Sequence, residues 1–340
     1  MSRNYSLDVA RGIGICLVVL GHTLTYDNWP SRFIFTFHMP LFFVISGMLY
    51  SRGKIEDFNG KYMSAYLFFL LLSVVKLPFD SSLLPSSWGG VCRMLWGCFV
   101  HCHPTLNGPL WFLVTLTMCR MVFACIDRGL AMSSRRRILG GIFLLGVAVA
   151  ALYCARLPFA WRRFYVPYMV TNLPLALFFY ACGCWLRPKL ESLLQIKAPK
   201  IFLLFGGVLA LVILLFVTRR TEITNLSVAQ IGTPFGFLYA LLGVAMIFIL
   251  VNCINGNVVA SMLSYIGRNS LCFFAMEFIT IFFVSRFLSI AVPALTDYKP
   301  TARIPLQLSM LLFVVPMFVL SLLTRPIGKV YKLTMARISK

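Results

Sequence analysis

Long apolar runs separated by short polar segments recur along the whole sequence. A membrane-spanning helix needs roughly 20 mainly apolar residues. Within each run the apolar residues are continuous rather than alternating, which favours helices over the strands of a transmembrane barrel. The pattern therefore predicts an all-α polytopic membrane protein whose single domain, residues 1–340, holds about ten transmembrane helices in one bundle. The predicted spans are residues 7–26, 33–51, 62–79, 107–127, 138–155, 168–187, 201–218, 234–254, 265–289 and 306–324.

The composition of the chain agrees with this interpretation. Of its 340 residues, 60% are hydrophobic and 12% are charged, whereas about half of a soluble domain is apolar and about a quarter is charged. These values exclude an ordinary soluble enzyme, a coiled coil and a disordered chain. In a soluble protein the net charge of +21 would suggest nucleic acid. Here the basic residues lie mostly between the apolar runs, so we expect a lipid bilayer as partner and no nucleic acid.

The distribution of basic residues predicts the orientation in the membrane. With the N-terminus placed in the cytoplasm, 18 Lys and Arg residues fall on the cytoplasmic side and 11 fall on the outer side. Cytoplasmic loops carry the excess of basic residues in membrane proteins, so both termini are expected in the cytoplasm. The two remaining arginines, Arg11 and Arg120, lie inside predicted spans.

Two ionisable residues of the first span, Arg11 and His22, have a spacing that suggests a ligand. Ionisable side chains inside a membrane are costly and mark candidate functional sites. Eleven residues along a helix place both side chains on one face, offset by about 20° and about 16 Å apart along the axis. A cation at one end and an imidazole at the other suit a long ligand with an anionic head and a reactive tail, such as a coenzyme A thioester. The spacing also fits structural roles, with Arg11 paired to Asp8 and His22 satisfied across a helix interface.

The second span adds another imidazole to the same region. If this span runs from the outer side inwards, His38 lies at about the depth of His22. Two imidazoles at one depth on successive helices predict that both belong to a site. The Ser46-Gly47 pair further along the span is better explained by close packing between helices.

Four short blocks, in order along the chain, carry a resemblance to a known family. They are DVARG at 8–12 with LVVLGH at 17–22, FHMPLFFVISG at 37–47, GPLWFL at 108–113 and YIGRNSL at 265–271. Together these blocks resemble the membrane acyltransferase 3 family, and the second resembles the signature of its fucose 4-O-acetylase-like branch. The blocks extend over the whole chain, and the ten predicted spans match the family's count.

The resemblance implies a function, a location and a set of substrates. It implies an O-acyltransferase, most commonly an O-acetyltransferase, that moves an acyl group from cytoplasmic acyl-CoA to a hydroxyl of a cell-envelope or secreted carbohydrate. Acetyl-CoA or another acyl-CoA is then the donor, and a carbohydrate or lipid-linked glycan is the acceptor. No metal is expected. The implied location is a multi-pass one in the bacterial inner (cytoplasmic) membrane.

The resemblance also implies that Arg11 and His22 are essential. We expect Arg11 to pair with a phosphate of coenzyme A, because its guanidinium suits an anion with two oxygens in reach. His22 is expected to act as the general base that takes the proton of the acceptor hydroxyl, since histidine titrates near neutral pH. His38 is expected to orient His22 or the acceptor.

Four further residues are candidate ligand contacts. Arg268 could join Arg11 in holding the donor, although a helix-end arginine that extends to the membrane surface fits equally well. Asn107 and Trp111 could contact the sugar. Many relatives carry a histidine eight residues after the asparagine of the last block, where this chain has Glu277. Either Glu277 supplies a carboxylate to the same polar cluster and contacts substrate, or that part of the site has diverged.

Two other interpretations of the sequence need weighing. Buried ionisable residues also mark transport pathways, so a transporter or flippase for a glycan or an organic acid is the alternative function. However, the paired repeats and broken helices of many transporters are not evident in the sequence. One predicted outer loop contains zinc-ligand residue types, but their spacing matches no standard zinc pattern; these residues are Cys98, His101, Cys102 and His103.

Overall fold

A computed structural model gives the fold of most of the chain. It describes residues 4–24, 29–51, 55–102, 104–132, 134–157, 168–194, 199–220, 235–254, 256–290, 292 and 306–338.

The described residues form thirteen α-helices and no strand. Short 3₁₀ segments extend α3 (Val74–Phe79, with Ser81–Leu83 beyond it) and precede α5 (Gly108–Leu110), and a π-helical turn, Trp96–Val100, follows α4. The helices are α1 (Tyr5–Thr23), α2 (Trp29–Met48), α3 (Ile55–Ser73), α4 (Trp88–Leu95), α5 (Trp111–Ala131), α6 (Arg136–Arg156), α7 (Tyr168–Trp185), α8 (Arg187–Leu193), α9 (Lys200–Arg220), α10 (Gly236–Ile254), α11 (Val258–Arg268), α12 (Ser270–Ser289) and α13 (Leu306–Ile338).

Nine helices of the described part are long and apolar enough to cross a membrane. This confirms the prediction of an all-α polytopic membrane protein. The nine correspond to nine of the ten predicted spans. The remaining predicted span, residues 168–187, coincides with α7, whose described apolar part, Val170–Trp185, is shorter than the others.

One predicted span has a different start in the structure. Residues 265–268 end α11, and α12 begins at Ser270, so the predicted segment 265–289 is interrupted at Asn269. The side-chain amide of Asn269 donates a hydrogen bond of 2.9 Å to the carbonyl of Tyr265. Asparagine competes in this way with the regular hydrogen bonds of a helix, and the apolar residues on both sides conceal the interruption from a pattern of hydropathy.

Burial separates central helices from peripheral ones. The most apolar windows of α2, α5 and α1 are 83%, 72% and 61% buried by the rest of the protein, whereas those of α6, α9 and α13 are 17%, 28% and 28% buried. The first group therefore forms the centre of the bundle, and the second group presents most of its apolar surface outwards, as lipid-facing helices do. Arg11, His22 and His38 all lie on the central helices.

Glycines allow two pairs of helices to approach with their backbones in contact. A methyl group added at Gly12 of α1 would overlap the carbonyl of Leu263 in α11, and one added at Gly267 of α11 would overlap the carbonyl of Asp8 in α1. This contact places Arg268 beside the start of α1.

The second close pair joins α2 to α7. A methyl group at Gly47 would overlap the carbonyl of Tyr180, and one at Gly183 would overlap that of Val44. The packing role predicted for Gly47 is therefore confirmed.

Candidate active site

Helix α1 carries a candidate functional residue near each of its ends. The side chain of Asn4 caps the helix by accepting a hydrogen bond of 3.3 Å from the backbone N–H of Leu7. From Tyr5 to Thr23 the α-helix is uninterrupted, so Arg11 and His22 share one face and lie about 16 Å apart along the axis. The two ends of the bundle are called here the Arg11 end and the His22 end.

At the His22 end, the imidazole is paired with a buried carboxylate. His22 Nδ1 lies 3.1 Å from Glu277 Oε1 of α12, and Glu277 is fully buried while the side chain of His22 is 17% exposed. His22 is therefore the more accessible of the two groups, and the predicted contact of Glu277 with substrate stays a prediction. When the proton of a neutral imidazole lies on Nδ1, on the side of the carboxylate, Nε2 is the proton acceptor. This tautomer is the one that a general base needs.

Aromatic rings hold the imidazole of His22 in place. The ring of Phe278, next to Glu277 on α12, packs edge-on against it with a centroid distance of 4.9 Å. The ring of Phe35 on α2 lies 6.0 Å away. An apolar surrounding of this kind strengthens the electrostatic contact between His22 and Glu277, because it lowers the local dielectric constant.

The structure brings His38 to the same region. Its Nδ1 donates a hydrogen bond of 2.8 Å to the carbonyl of Ile34, one turn earlier in α2, and its side chain is buried. The ring of Phe35 packs edge-on against His38 at 5.0 Å as well as against His22. The two imidazoles thus share one aromatic neighbour. The predicted role of His38 in orienting His22 or the acceptor stays a prediction.

At the Arg11 end, two arginines share one buried carboxylate. Arg11 Nη1 lies 3.6 Å from Asp8 Oδ1, and Arg268 Nε lies 3.7 Å from Asp8 Oδ2. The side chain of Asp8 is 3% exposed, whereas those of Arg11 and Arg268 are 25% and 50% exposed. The pairing of Arg11 with Asp8 left open by the sequence is therefore present, and Arg268 joins it across the α1–α11 contact. Two guanidinium groups against one carboxylate leave a net positive charge that a ligand can reach.

The structure gives Asn107 and Trp111 buried positions. Asn107 Nδ2 donates to Ser73 Oγ at 3.1 Å and to the carbonyl of Ala275 at 2.8 Å. Asn107 therefore ties the end of α3 to α12 two residues before Glu277. Trp111 begins α5 and is also buried, with its carbonyl accepting from Thr115 Oγ1. Their predicted contact with a sugar stays a prediction, and the described contacts of Asn107 are structural.

A second buried polar cluster lies where α2 and α5 meet. Arg120 is fully buried, with Nη2 donating to the carbonyl of Ser51 at 3.4 Å and its guanidinium carbon 5.7 Å from the ring centre of Tyr50. The hydroxyl of Tyr50 donates in turn to Asp127 Oδ2 at 3.5 Å. These contacts account for the arginine that the sequence places inside a span.

The cysteine-containing turn after α4 shows no features of a metal site. Among the described residues no group of three His, Cys, Asp or Glu side chains is arranged to hold a metal ion; His103 lies outside them. Burial raises the pKa of the Cys98 and Cys102 thiols, which disfavours the thiolate form that binds metals.

Sequence reasoning missed three parts of this site. It did not select Phe35 and Phe278 as the rings around His22, although each lies close in sequence to a residue that was selected. It also treated Gly267 only as part of a block, whereas this glycine permits the contact that brings Arg268 to Asp8. The available signal was the glycine directly before Arg268, because a glycine permits close contact between helices.

The chain is similar to a known family over most of its length and to a known relative over a short stretch. A family model described as an acyltransferase domain, of the acyltransferase 3 type, matches residues 4–325. The nodulation protein NolL of Mesorhizobium japonicum is 45% identical over 64 residues, which cover 16% of this chain and 17% of NolL. The match thus spans less than a fifth of that relative. No solved structure matches the chain.

Proposed function

This chain belongs to the acyltransferase 3 family. From that premise we propose that it is a membrane O-acyltransferase and that the acyl group it most commonly transfers is acetyl. The donor is cytoplasmic acetyl-CoA or another acyl-CoA, and the acceptor is a hydroxyl of a cell-envelope or secreted carbohydrate. The observation that carries the proposal is the pair formed by His22, which a ligand can reach, and Glu277, which is buried. Family membership favours acyl transfer over the transport alternative.

The Arg11 end is proposed to hold the donor. With the N-terminus in the cytoplasm, this end faces the compartment that contains coenzyme A. Arg11 and Arg268 present N–H groups to a phosphate, and Asp8 holds both guanidinium groups in position. An arginine binds phosphate with two parallel hydrogen bonds. The pantetheine arm then follows the shared face of α1 towards His22, over the 16 Å or so that separate the two side chains.

The His22 end is proposed to carry out the transfer. His22 Nε2 takes the proton of the acceptor hydroxyl as the hydroxyl oxygen attacks the thioester carbonyl carbon. The new C–O bond forms and the C–S bond breaks, and the departing thiolate takes the proton back from the imidazolium. Glu277 holds Nδ1 and stabilises the imidazolium while it exists. The rings of Phe35 and Phe278 limit water at this point, which limits hydrolysis of the thioester.

The proposal is tested by supplying donor and acceptor to the purified protein. Glycans from cells that lack the gene are incubated with labelled acetyl-CoA and the detergent-purified chain, and the products are analysed by mass spectrometry. We expect a product heavier by one acetyl group and a label that alkaline ester hydrolysis removes. Label that stays in acetyl-CoA while the same glycans accumulate across vesicle membranes would instead support a transporter.

A further inference from the structure

A buried lysine lies at the His22 end, apart from the residues assigned to the donor and the acceptor. Lys76 belongs to the 3₁₀ segment that extends α3, and 5% of it is exposed. Its ammonium group donates to the carbonyl of Leu106 and lies 5.7 Å from the ring centre of Phe282 on α12. An ammonium has three N–H donors, so the bond to Leu106 leaves donors for a ligand. A buried charge is costly, and lysines are rarely fully buried unless they are paired.

A second cation, Arg286, also lies near the ring of Phe282. The guanidinium carbon of Arg286 lies 5.8 Å from the ring centre of Phe282, and Arg286 Nη2 donates to the carbonyl of Phe79. Arg286 is exposed, so one cation is buried and one faces outwards. The carboxylate of Asp80 also acts electrostatically on Lys76. Two positive groups and one negative group around a ring leave this cluster positive.

The cluster lies one helical turn beyond the His22–Glu277 pair. Phe278, whose ring packs against His22, is followed four residues later by Phe282, a step of about 6 Å along α12. Asn107, adjacent to Leu106, fastens this loop to α12 through the carbonyl of Ala275. The helix that positions Glu277 therefore also positions the ring between Lys76 and Arg286. A group bound there is adjacent to a hydroxyl bound at His22.

The charged residues of the predicted outer segments also favour an anionic ligand. In the proposed orientation, the outer segments contain 11 Lys and Arg residues but four Asp and Glu residues. The outer segments therefore carry a net positive charge, although most basic residues lie on the cytoplasmic side. A positive surface attracts anionic substrates and raises their local concentration.

We propose that Lys76, Arg286 and Phe282 form a subsite for an anionic group, a carboxylate or a phosphate, carried by the acceptor carbohydrate close to the acylated hydroxyl. This inference rests on the proposed function and specifies its acceptor class. Lys76 binds the anion, Arg286 attracts it at the opening, and Phe282 supplies an apolar face for the sugar ring.

The first experiment identifies the acceptor. Glycan fragments from cells producing the wild type or the His22→Gln variant are compared by mass spectrometry. We expect the fragment acylated by the wild type to carry an anionic group on the acylated ring or on the next one. Carbodiimide reduction of carboxylates and hydrofluoric-acid removal of phosphates distinguish the two sources. A neutral acylated fragment overturns the inference, whereas no His22-dependent acylation contradicts the proposed function itself.

The second experiment measures the acceptor KM of purified variants on that fragment. Lys76→Gln keeps a donor for Leu106 but removes the charge, and we expect the KM to rise about ten- to a hundredfold, as for a lost charge-assisted hydrogen bond. Lys76→Arg keeps the charge and is expected to stay near the wild type. Asp80→Asn removes the opposing charge and is expected to lower the KM. The donor KM stays unchanged in all three variants.

Ionic strength and an exposed position provide the controls. Added salt is expected to raise the acceptor KM of the wild type more than that of Lys76→Gln, because salt screens charges. If Lys76→Gln is not recovered as a folded protein, Arg286→Gln replaces it, since that side chain is exposed, and a several-fold rise in KM is expected. An acceptor KM that is unchanged in the folded Lys76 and Arg286 variants overturns the inference.

Discussion

Replacing Glu277 by glutamine tests how the buried carboxylate contributes to the reaction. The substitution keeps the shape of the side chain and an oxygen that can accept the Nδ1 proton of His22, but it removes the negative charge. The imidazolium that forms during transfer then loses a partner 3.1 Å away. At that separation a unit charge pair contributes at most about 5 kcal/mol at an effective dielectric constant near 20.

A lower limit comes from hydrogen-bond strengths. A bond to a charged group contributes about 1 kcal/mol more than a neutral one. The loss of transition-state stabilisation should therefore lie between about 1 and 5 kcal/mol, which corresponds to a fall in kcat of about 5- to 5,000-fold. The KM for the donor should not change, because the Arg11 end is untouched.

The stability of Glu277→Gln should not fall with its kcat. Glu277 is fully buried, and removing a carboxylate from water costs desolvation free energy, which lowers the stability of the fold. Removing the charge should leave the melting temperature in detergent equal to or above that of the wild type. Single-turnover transfer of labelled acetyl groups gives the rate, and a thermal shift measurement gives Tm. A Glu277→Gln variant that keeps the wild-type kcat, or that loses Tm and kcat together, would refute a catalytic contribution.

Three other predictions concern the donor end, the helix contact and the topology. Arg11→Lys keeps the charge but loses the paired hydrogen bonds, so the donor KM should rise roughly tenfold; an unchanged donor KM would leave Arg11 a purely structural residue. Gly267→Ala places a methyl group against the backbone of α1 and should destabilise the fold by about 1–3 kcal/mol or more. The control Gly141→Ala adds its methyl group in open space and should not lower the stability. Equal melting temperatures of the two variants would contradict the close contact. Reporter fusions after Lys340 and within residues 221–233 should report opposite sides, cytoplasmic and outer; the same side for both would remove the basis of the orientation.

Within a single helix, the sequence was sufficient to predict the relative positions of the two candidate residues. The spacing of Arg11 and His22 determines their common face because an α-helix has a fixed rotation per residue. The apolar runs predicted the spanning helices because their length follows from the thickness of a bilayer. Both properties are local, so a linear pattern contains them.

Contacts between helices could not be predicted in this way. The ion pair of Arg268 with Asp8 depends on the approach of α11 to α1, which depends on Gly12 and Gly267 facing each other across the interface. The sequence also left open whether Glu277 joins the polar cluster of His22. Its carboxylate can reach the imidazole only if α12 packs against α1 with the required rotation. Hydropathy contains neither the rotation nor the distance.

In the proposed mechanism, His22 is the base that makes acyl transfer possible. The most direct measurement is the rate of labelled acetyl transfer per molecule of purified protein for the wild type, His22→Gln and the control His101→Gln. His101 is a buried histidine at the end of the π-helical turn that follows α4. Glutamine can hydrogen-bond to Glu277 but cannot take up a proton, so His22→Gln should lose about 100- to 10,000-fold in rate while its Tm and elution volume match the wild type. His101→Gln should retain most of its activity per folded molecule. Substantial transfer by His22→Gln would contradict the account.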